Sequence, residues 1–276
     1  MSAAPDIAPR RAGFSPGRLG AMVLRYLYLL RSSWPRALEL LYWPAIQMVL
    51  WGFTSQFLMT NSSWVARAAG VLLGGVMLWD VLFRGQLGVS VSFLEEMWSR
   101  NLGHLFVSPL RPYEFLIAVM TMSMIRTVIG MLPAALIAIP LYHYSIFALG
   151  LPLLVMFANL LVTGWAIGIA VSGLILRFGL GAESFAWVAV FAISPVAAVF
   201  YPVSILPGWL QAVAYALPPA HVFEGMRTLM VDHVFATDHF LAALGLNALY
   251  MAIGGIVFFS AFARARVLGK LLQVGE

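Results

Sequence analysis

Between residues 37 and 263 the chain alternates long apolar runs with short polar interruptions. A helix needs ~20 predominantly apolar residues to cross the hydrocarbon core of a bilayer. On that measure the pattern predicts six spans, at about 37–59, 68–94, 115–139, 148–176, 184–203 and 241–263. Pro44 falls inside the first and predicts a kink, and Pro195 falls inside the fifth. Residues 18–36 follow a different period. At about 100° per residue, Arg18, Arg25, Ser32 and Arg36 lie within about 40° of one another, opposite Leu19, Val23, Tyr26, Leu27, Leu30 and Trp34. That is an amphipathic helix suited to the membrane interface, with Arg31 off its polar sector. Residues 204–240 are too polar and proline-broken to span, and too apolar for an ordinary loop. Short re-entrant helices fit them, because protein covers such backbone at membrane depth.

The predicted fold class is therefore an all-α membrane protein of six transmembrane helices. Residues 1–17 read as a flexible cytoplasmic tail, and 18–276 as one transmembrane domain. Composition agrees: 62% of residues are hydrophobic and 10% charged, with a mean hydropathy of +0.92. A soluble domain carries about 25% charged residues. The first twenty residues hold no apolar stretch of the kind a cleavable leader needs. Cysteine is absent, which excludes disulfides, thiolate metal sites and cysteine nucleophiles.

Charge adds orientation. Six spans put both termini on one side, which would hold Arg10, Arg11, Arg18, Arg25, Arg31, Arg36, Arg100, Arg111, Arg177, Arg264, Arg266 and Lys270. The other side would hold Arg67 and Arg227. Lys and Arg accumulate on the cytoplasmic side of membrane proteins, so both termini are expected there. The net charge of +5 is then a topology signal and a contact for anionic lipid, with no call for nucleic acid.

Candidate chemistry concentrates in "FLEEMWSRNLGHLFVSPLRPYEFL" (93–116), on the cytoplasmic side between spans two and three. Leu94, Trp98, Leu102 and Leu105 recur at helical spacing, and Glu96 and Arg100 stand in the favourable i,i+4 order. Pro109 and Pro112 end the pattern. Residues 95–107 thus predict a short amphipathic helix, either a handle gripped by its charged face or a solvated linker. Within the spans, Asp80 and Arg84 lie one turn apart and Arg126 lies near the middle of the next span. Ionisable groups at that depth are costly unless paired. They form either an Asp80–Arg84 clamp with Arg126 reaching carbonyls or solvent, or a site for an anionic substrate group. "GVLLG" (70–74) and "GWAIG" (164–168) have helix-packing spacing, which 24 glycines produce by chance. "DHVFATDH" (232–239) holds two Asp-His pairs, but six helical residues turn through about 240°, so a polar loop is the better reading than zinc. A phosphate-binding loop needs its lysine, and the only one is Lys270, followed by Leu.

The 93–116 stretch resembles the signature of type-2 ABC exporter permeases, a Glu-rich cytoplasmic helix leading into a Ser-Pro-Leu turn before the third span. "FYPVSILPGWLQAVAYALPPAHVFEGMR" (200–227) is similar to that family's segment between spans five and six, and "PAIQMVLWGF" (44–53) to its first span. The motifs follow in order across residues 18–265. The resemblance implies a permease in a bacterial cytoplasmic (inner) membrane that pairs with a second permease copy and two cytoplasmic ABC ATPase subunits. Those subunits would carry ATP and Mg, with no catalytic, cofactor or metal residue in this chain. Glu95, Glu96, Arg100 and His104 would belong to the coupling helix. Pro202, Pro207, Trp209, Pro218, Glu224 and Arg227 would shape the outer re-entrant segment. The basic entry typical of permeases for O-antigen and teichoic-acid chains is missing from "RSSWPRALELLYWP", which favours a drug-like or lipid-like amphiphile. The alternative is a self-sufficient secondary transporter or channel. The expected internal repeats or filter are not visible.

Overall fold

The computed structural model describes residues 13–61 and 63–269, with side chains outside 58–69. Tail residues 1–12, with Arg10 and Arg11, and Lys270 lie outside the described residues, as does the side chain of Arg67. Among the described residues there are ten α-helices and no strand. In chain order they are α1 (Pro16–Ser32), α2 (Trp34–Asn61), α3 (Ser63–Trp98), α4 (Leu102–Val107) and α5 (Pro112–Tyr142). There follow α6 (Leu151–Phe178), α7 (Phe185–Ile193), α8 (Gly208–Tyr215), α9 (Pro218–Asp232) and α10 (Thr237–Val267).

Local chemistry sets the boundaries. Pro112 opens α5 at a position where no backbone donor is needed, and the Glu114 carboxylate accepts the Arg111 N–H at 3.0 Å. Pro218 opens α9 in the same way. α6 stops at Gly179, whose φ of +81° a side chain would strain.

Among the described residues, four segments are long and apolar enough to cross a membrane: Gly70–Trp98, Pro112–Tyr142, Leu151–Phe178 and Thr237–Val267. The six expected spans are thus reduced to four by this measure. α2 has the length, but Arg36, Glu39, Gln47 and Gln56 dilute its apolar character. The fifth expected span, 184–203, is not one helix. α7 has 9 residues, about 14 Å, against a hydrocarbon core of about 30 Å. Pro195 supplies the reason: it has no N–H to continue the ladder and its ring crowds the preceding turn. The chain then turns through Ala198, in the left-handed region at φ +57°.

α6 lies at the centre, with α3 on one side and α10 on the other. Glycines make both approaches possible. A Cβ on Gly164 would stand 2.6 Å from the Leu82 carbonyl oxygen of α3, and one on Gly254 of α10 would stand 2.6 Å from the Ala166 oxygen of α6. The core divides along the bundle. Phe93, Phe115, Phe258 and Phe262 pack at the end where α3 finishes and α5 begins. Leu78, Leu82, Leu160 and Phe223 fill the other half. Asn159, Thr163 and Asn247 are buried between α6 and α10 and satisfy one another: Thr163 donates to Asn247 Oδ1 at 2.7 Å, and Asn247 donates to Asn159 Oδ1 at 2.9 Å.

Candidate functional site

The end of the bundle formed by α1, α4 and the adjacent ends of α3 and α5 carries most of the described arginines. α1 is fixed there by two carboxylates. Glu96, on the last turn of α3, is 1% exposed. It accepts from Arg25 Nη1 at 2.6 Å, Arg25 Nη2 at 3.0 Å, the Tyr26 hydroxyl at 2.9 Å and Asn101 Nδ2 at 2.7 Å. Glu114, on the first turn of α5, accepts from Arg18 Nε at 2.9 Å, Arg18 Nη2 at 2.6 Å and the Ser15 N–H at 2.9 Å. A third, looser pair joins Arg36 to Glu95 at 3.6 Å. Charge-assisted, bidentate bonds of the first two kinds are the strong ones. The hydrogen bonds to Glu96 and Glu114 raise Arg25 and Arg18 above the usual arginine range, and burial raises the Tyr26 phenol. Arg18, Arg25 and Arg36, the polar sector of α1 and its extension, all face protein carboxylates.

Two expectations change here. α3 runs unbroken to Trp98, so Glu95 and Glu96 sit on it and not on a separate helix over 95–107. Glu96 and Arg100 do not pair, because helical spacing ends before Arg100. Arg100 is left-handed, with φ +56°. Its N–H bonds the Met97 carbonyl at 3.0 Å and the Asn101 N–H bonds that of Glu96 at 2.9 Å, a Schellman C-cap. α4 then crosses the end of the bundle. Its exposed surface consists of His104 and Val107, continuous with Arg100 and Trp98, while Leu102 and Gly103 are buried. The charged face anticipated from Glu96 is buried. The exposed surface is Arg100, His104 and the apolar side chains beside them.

Inside the bundle the three intramembrane charges divide. Arg84 Nε donates to Asp80 Oδ2 at 2.5 Å. The Arg84 guanidinium lies over Gly130 of α5, where a Cβ would meet its Nη1 at 3.3 Å. Asp80 also lines a small cleft with Pro44, Gln47, Met48 and Met131. Arg126 does not join this pair. Helical side chains lean toward their own N-terminus. On α5 that direction leads Arg126 to the arginine-rich end, where Nη1 donates to the Ser92 hydroxyl at 3.2 Å.

The opposite end is organised by Glu224 and Arg227 of α9. Glu224 accepts the Val203 N–H at 2.6 Å and lies 3.2 Å from Arg227 Nη1. Arg227 Nη2 donates to the carbonyls of Ala198 and Tyr201, the latter at 2.7 Å. The Glu-x-x-Arg pair therefore holds the turn that replaces the second half of the expected fifth span. Pro202 and Pro207 precede the short helical segments at Val203–Ile205 and Gly208–Tyr215, Pro218 is buried at the start of α9, and Trp209 is 72% exposed. Of the two Asp-His pairs, Asp232 ends α9, His233 is left-handed, and Asp238 and His239 begin α10. His239 Nδ1 meets His221 Nδ1 at 3.1 Å, and no group of three or more metal-ligating side chains occurs among the described residues.

Arg18, Arg25, Tyr26 and Glu114 were not anticipated as partners of this site. Their signal was present: Arg18 and Arg25 on one sector of α1, continued by Arg36 at the start of α2, and three carboxylates at the neighbouring helix ends.

Apolar helices of spanning length, packed through glycines and closed at one end by arginine–carboxylate pairs, are those of a multi-pass membrane protein. The family model described as ABC-2 type transporter matches residues 27–231, most of the chain, and the chain belongs to that family. It is the membrane component of such a transporter, and the family associates with ABC ATPase subunits. No curated protein matches the chain.

Proposed function

We propose that this chain is the permease subunit of an ABC exporter, driven by ATP hydrolysis on two cytoplasmic ATPase subunits that themselves bind ATP and Mg. It works beside a second permease copy in a bacterial inner membrane. The arginine-rich end and both termini face the cytoplasm, a reading supported by the distribution of Lys and Arg. The substrate is a drug-like or lipid-like amphiphile, and Arg126 contacts its anionic group. Asp80 and Arg84 brace each other and leave Arg126 as the cation available on the path.

One observation carries the coupling assignment. The connection between α3 and α4 exposes Arg100, and α4 exposes His104 and Val107, yet this surface is anchored by Glu96, which four hydrogen bonds from α1 and Asn101 hold in place. An exposed surface on a rigid mount at the tip of the 36-residue α3 can pass a push from an ATPase into the bundle. Arg100 strengthens the case. Its left-handed conformation would suit glycine, so arginine stands there at a conformational cost.

The test is substrate-stimulated ATP hydrolysis by the reconstituted complex. Arg100→Glu and His104→Glu should abolish stimulation while the permease keeps its melting temperature. Full stimulation in both variants would remove the docking assignment. Failure of any ATPase subunit to copurify with the wild-type permease would remove the exporter reading itself.

A further inference from the structure

Ser92 and Glu95 are three residues apart and share one face of α3. Arg126 reaches this face from α5 and Arg36 reaches it from α2. Two guanidinium groups therefore lie along this face, Arg36 against Glu95 at 3.6 Å and Arg126 against Ser92 at 3.2 Å, and the one carboxylate there is taken by Arg36. Arg126 makes one hydrogen bond, to Ser92, and its Nε is buried with no hydrogen-bond partner among the described residues. A guanidinium presents five N–H donors. At membrane depth, donors left without acceptors are expensive.

The surroundings say what kind of acceptor is missing. Ser92 lies six residues, about 9 Å, from Trp98 at the end of α3. Trp98 is 51% exposed and Trp34, at the start of α2, is 74% exposed. Exposed tryptophans mark the depth of lipid headgroups. Beside Arg126 on α5, Met124 and Val128 are exposed, as are Leu38 and Tyr42 along α2 beyond Arg36. Apolar exposed side chains on both flanks belong against acyl chains.

We propose that Arg126, Arg36 and Ser92 bind the phosphate of an anionic phospholipid taken from the leaflet at the arginine-rich end. The planar fork of Arg126 matches two phosphate oxygens, the Ser92 hydroxyl donates to one of them, and Arg36 closes the site from α2. The acyl chains lie over Leu38, Tyr42 and Val128. The inference rests on the permease reading for membrane orientation alone and does not require export.

The full-length permease in nanodiscs of equimolar phosphatidylglycerol and phosphatidylcholine provides the test. Protein is released into mild detergent and its retained lipids are counted by native mass spectrometry. Wild type should retain phosphatidylglycerol in preference to phosphatidylcholine. Arg126→Gln should lower that retention about tenfold, Arg36→Gln should lower it less, and Arg126→Lys should restore part of it by returning the charge without the fork. Arg177→Gln, at an exposed arginine of the same end, should change nothing. Equal retention of both lipids by wild type, or wild-type retention by Arg126→Gln, would overturn the site. Displacement of the lipid by excess inorganic phosphate would overturn the lipid as ligand, because a soluble anion would then suffice. Transport separates the two proposals: an Arg126→Gln permease that loses the lipid but transports an anionic substrate normally supports the lipid site and removes Arg126 from the substrate path. Lost transport with the lipid retained would overturn the lipid site.

Discussion

Glu96 shows how little a residue's charge says about its role. With Arg100 four residues on, it has the spacing of an exposed helical pair. In the fold it is buried and accepts from Arg25, Tyr26 and Asn101. Replacing Glu96 with Gln should cost about 3 kcal/mol, the low end for a broken buried pair, because the Arg25 left behind is partly exposed. Glu95→Gln should cost less than about 1 kcal/mol, because the Arg36 contact is 3.6 Å long and partly exposed. Thermal unfolding of the two variants in detergent checks the difference, and equal losses would contradict the clamp. Asp80→Asn should also lower the melting temperature, leaving Arg84 over Gly130 without its 2.5 Å partner. Arg100→Gly should act in the opposite direction, gaining about 1 kcal/mol by relieving a left-handed conformation at φ +56°. The same variant should lose substrate-stimulated ATP hydrolysis. A gain in both stability and coupling would remove Arg100 from the docking surface.

Among the elements, the long helices were legible and their partners were not. α5 and α10 cover the third and sixth expected spans and extend beyond them, and α6 matches the fourth to within three residues, because apolar period and length are local properties. The Gly164–Gly168 spacing carries little weight by itself in a chain with 24 glycines. In the structure both glycines face α3, where a Cβ on Gly168 would stand 2.8 Å from the Gln86 carbonyl oxygen. Nothing in the spacing itself says which glycine meets a backbone, since that depends on the neighbouring helix. Gly254→Ala and Gly245→Ala separate the cases on one helix. The first should cost about 1–3 kcal/mol by pressing on the Ala166 oxygen at 2.6 Å. The second has nothing within 4 Å and should be neutral or slightly stabilising. Melting temperatures that fall equally would mean that helix propensity, and not the approach of α6, decides. α7 makes the converse point: its composition reads as the start of a span, but one proline ends it after 9 residues.

On the scale of the whole molecule, the expected arrangement puts the ends of α3, α6 and α10 on the cytoplasmic side and the α5–α6 connection outside. The absence of cysteine makes this directly measurable. Ala148→Cys, exposed between α5 and α6, should react with an impermeant thiol reagent added to intact cells. Ser184→Cys, exposed between α6 and α7, should react only in inverted vesicles. The reverse pattern would invert the proposed orientation, and with it the side on which an ATPase could dock.

The sequence by itself determined the class of the protein. Hydropathy, helical period and capping prolines depend on residues close together in the chain, so they announce an all-helical membrane protein and the places where its main helices start. The order of loose motifs along the chain pointed to the family. Only the tertiary structure decided what each polar group does. Arg25 and Glu96 stand 71 residues apart, Arg18 and Glu114 stand 96 apart, and Asn159 meets Asn247 across 88. Whether a charge faces water, lipid or a partner is a property of the surface it is folded against. In a medium where an unmet donor is costly, that surface decides whether Glu96 is a handle or a rivet and whether Arg126 is satisfied or still has donors to offer.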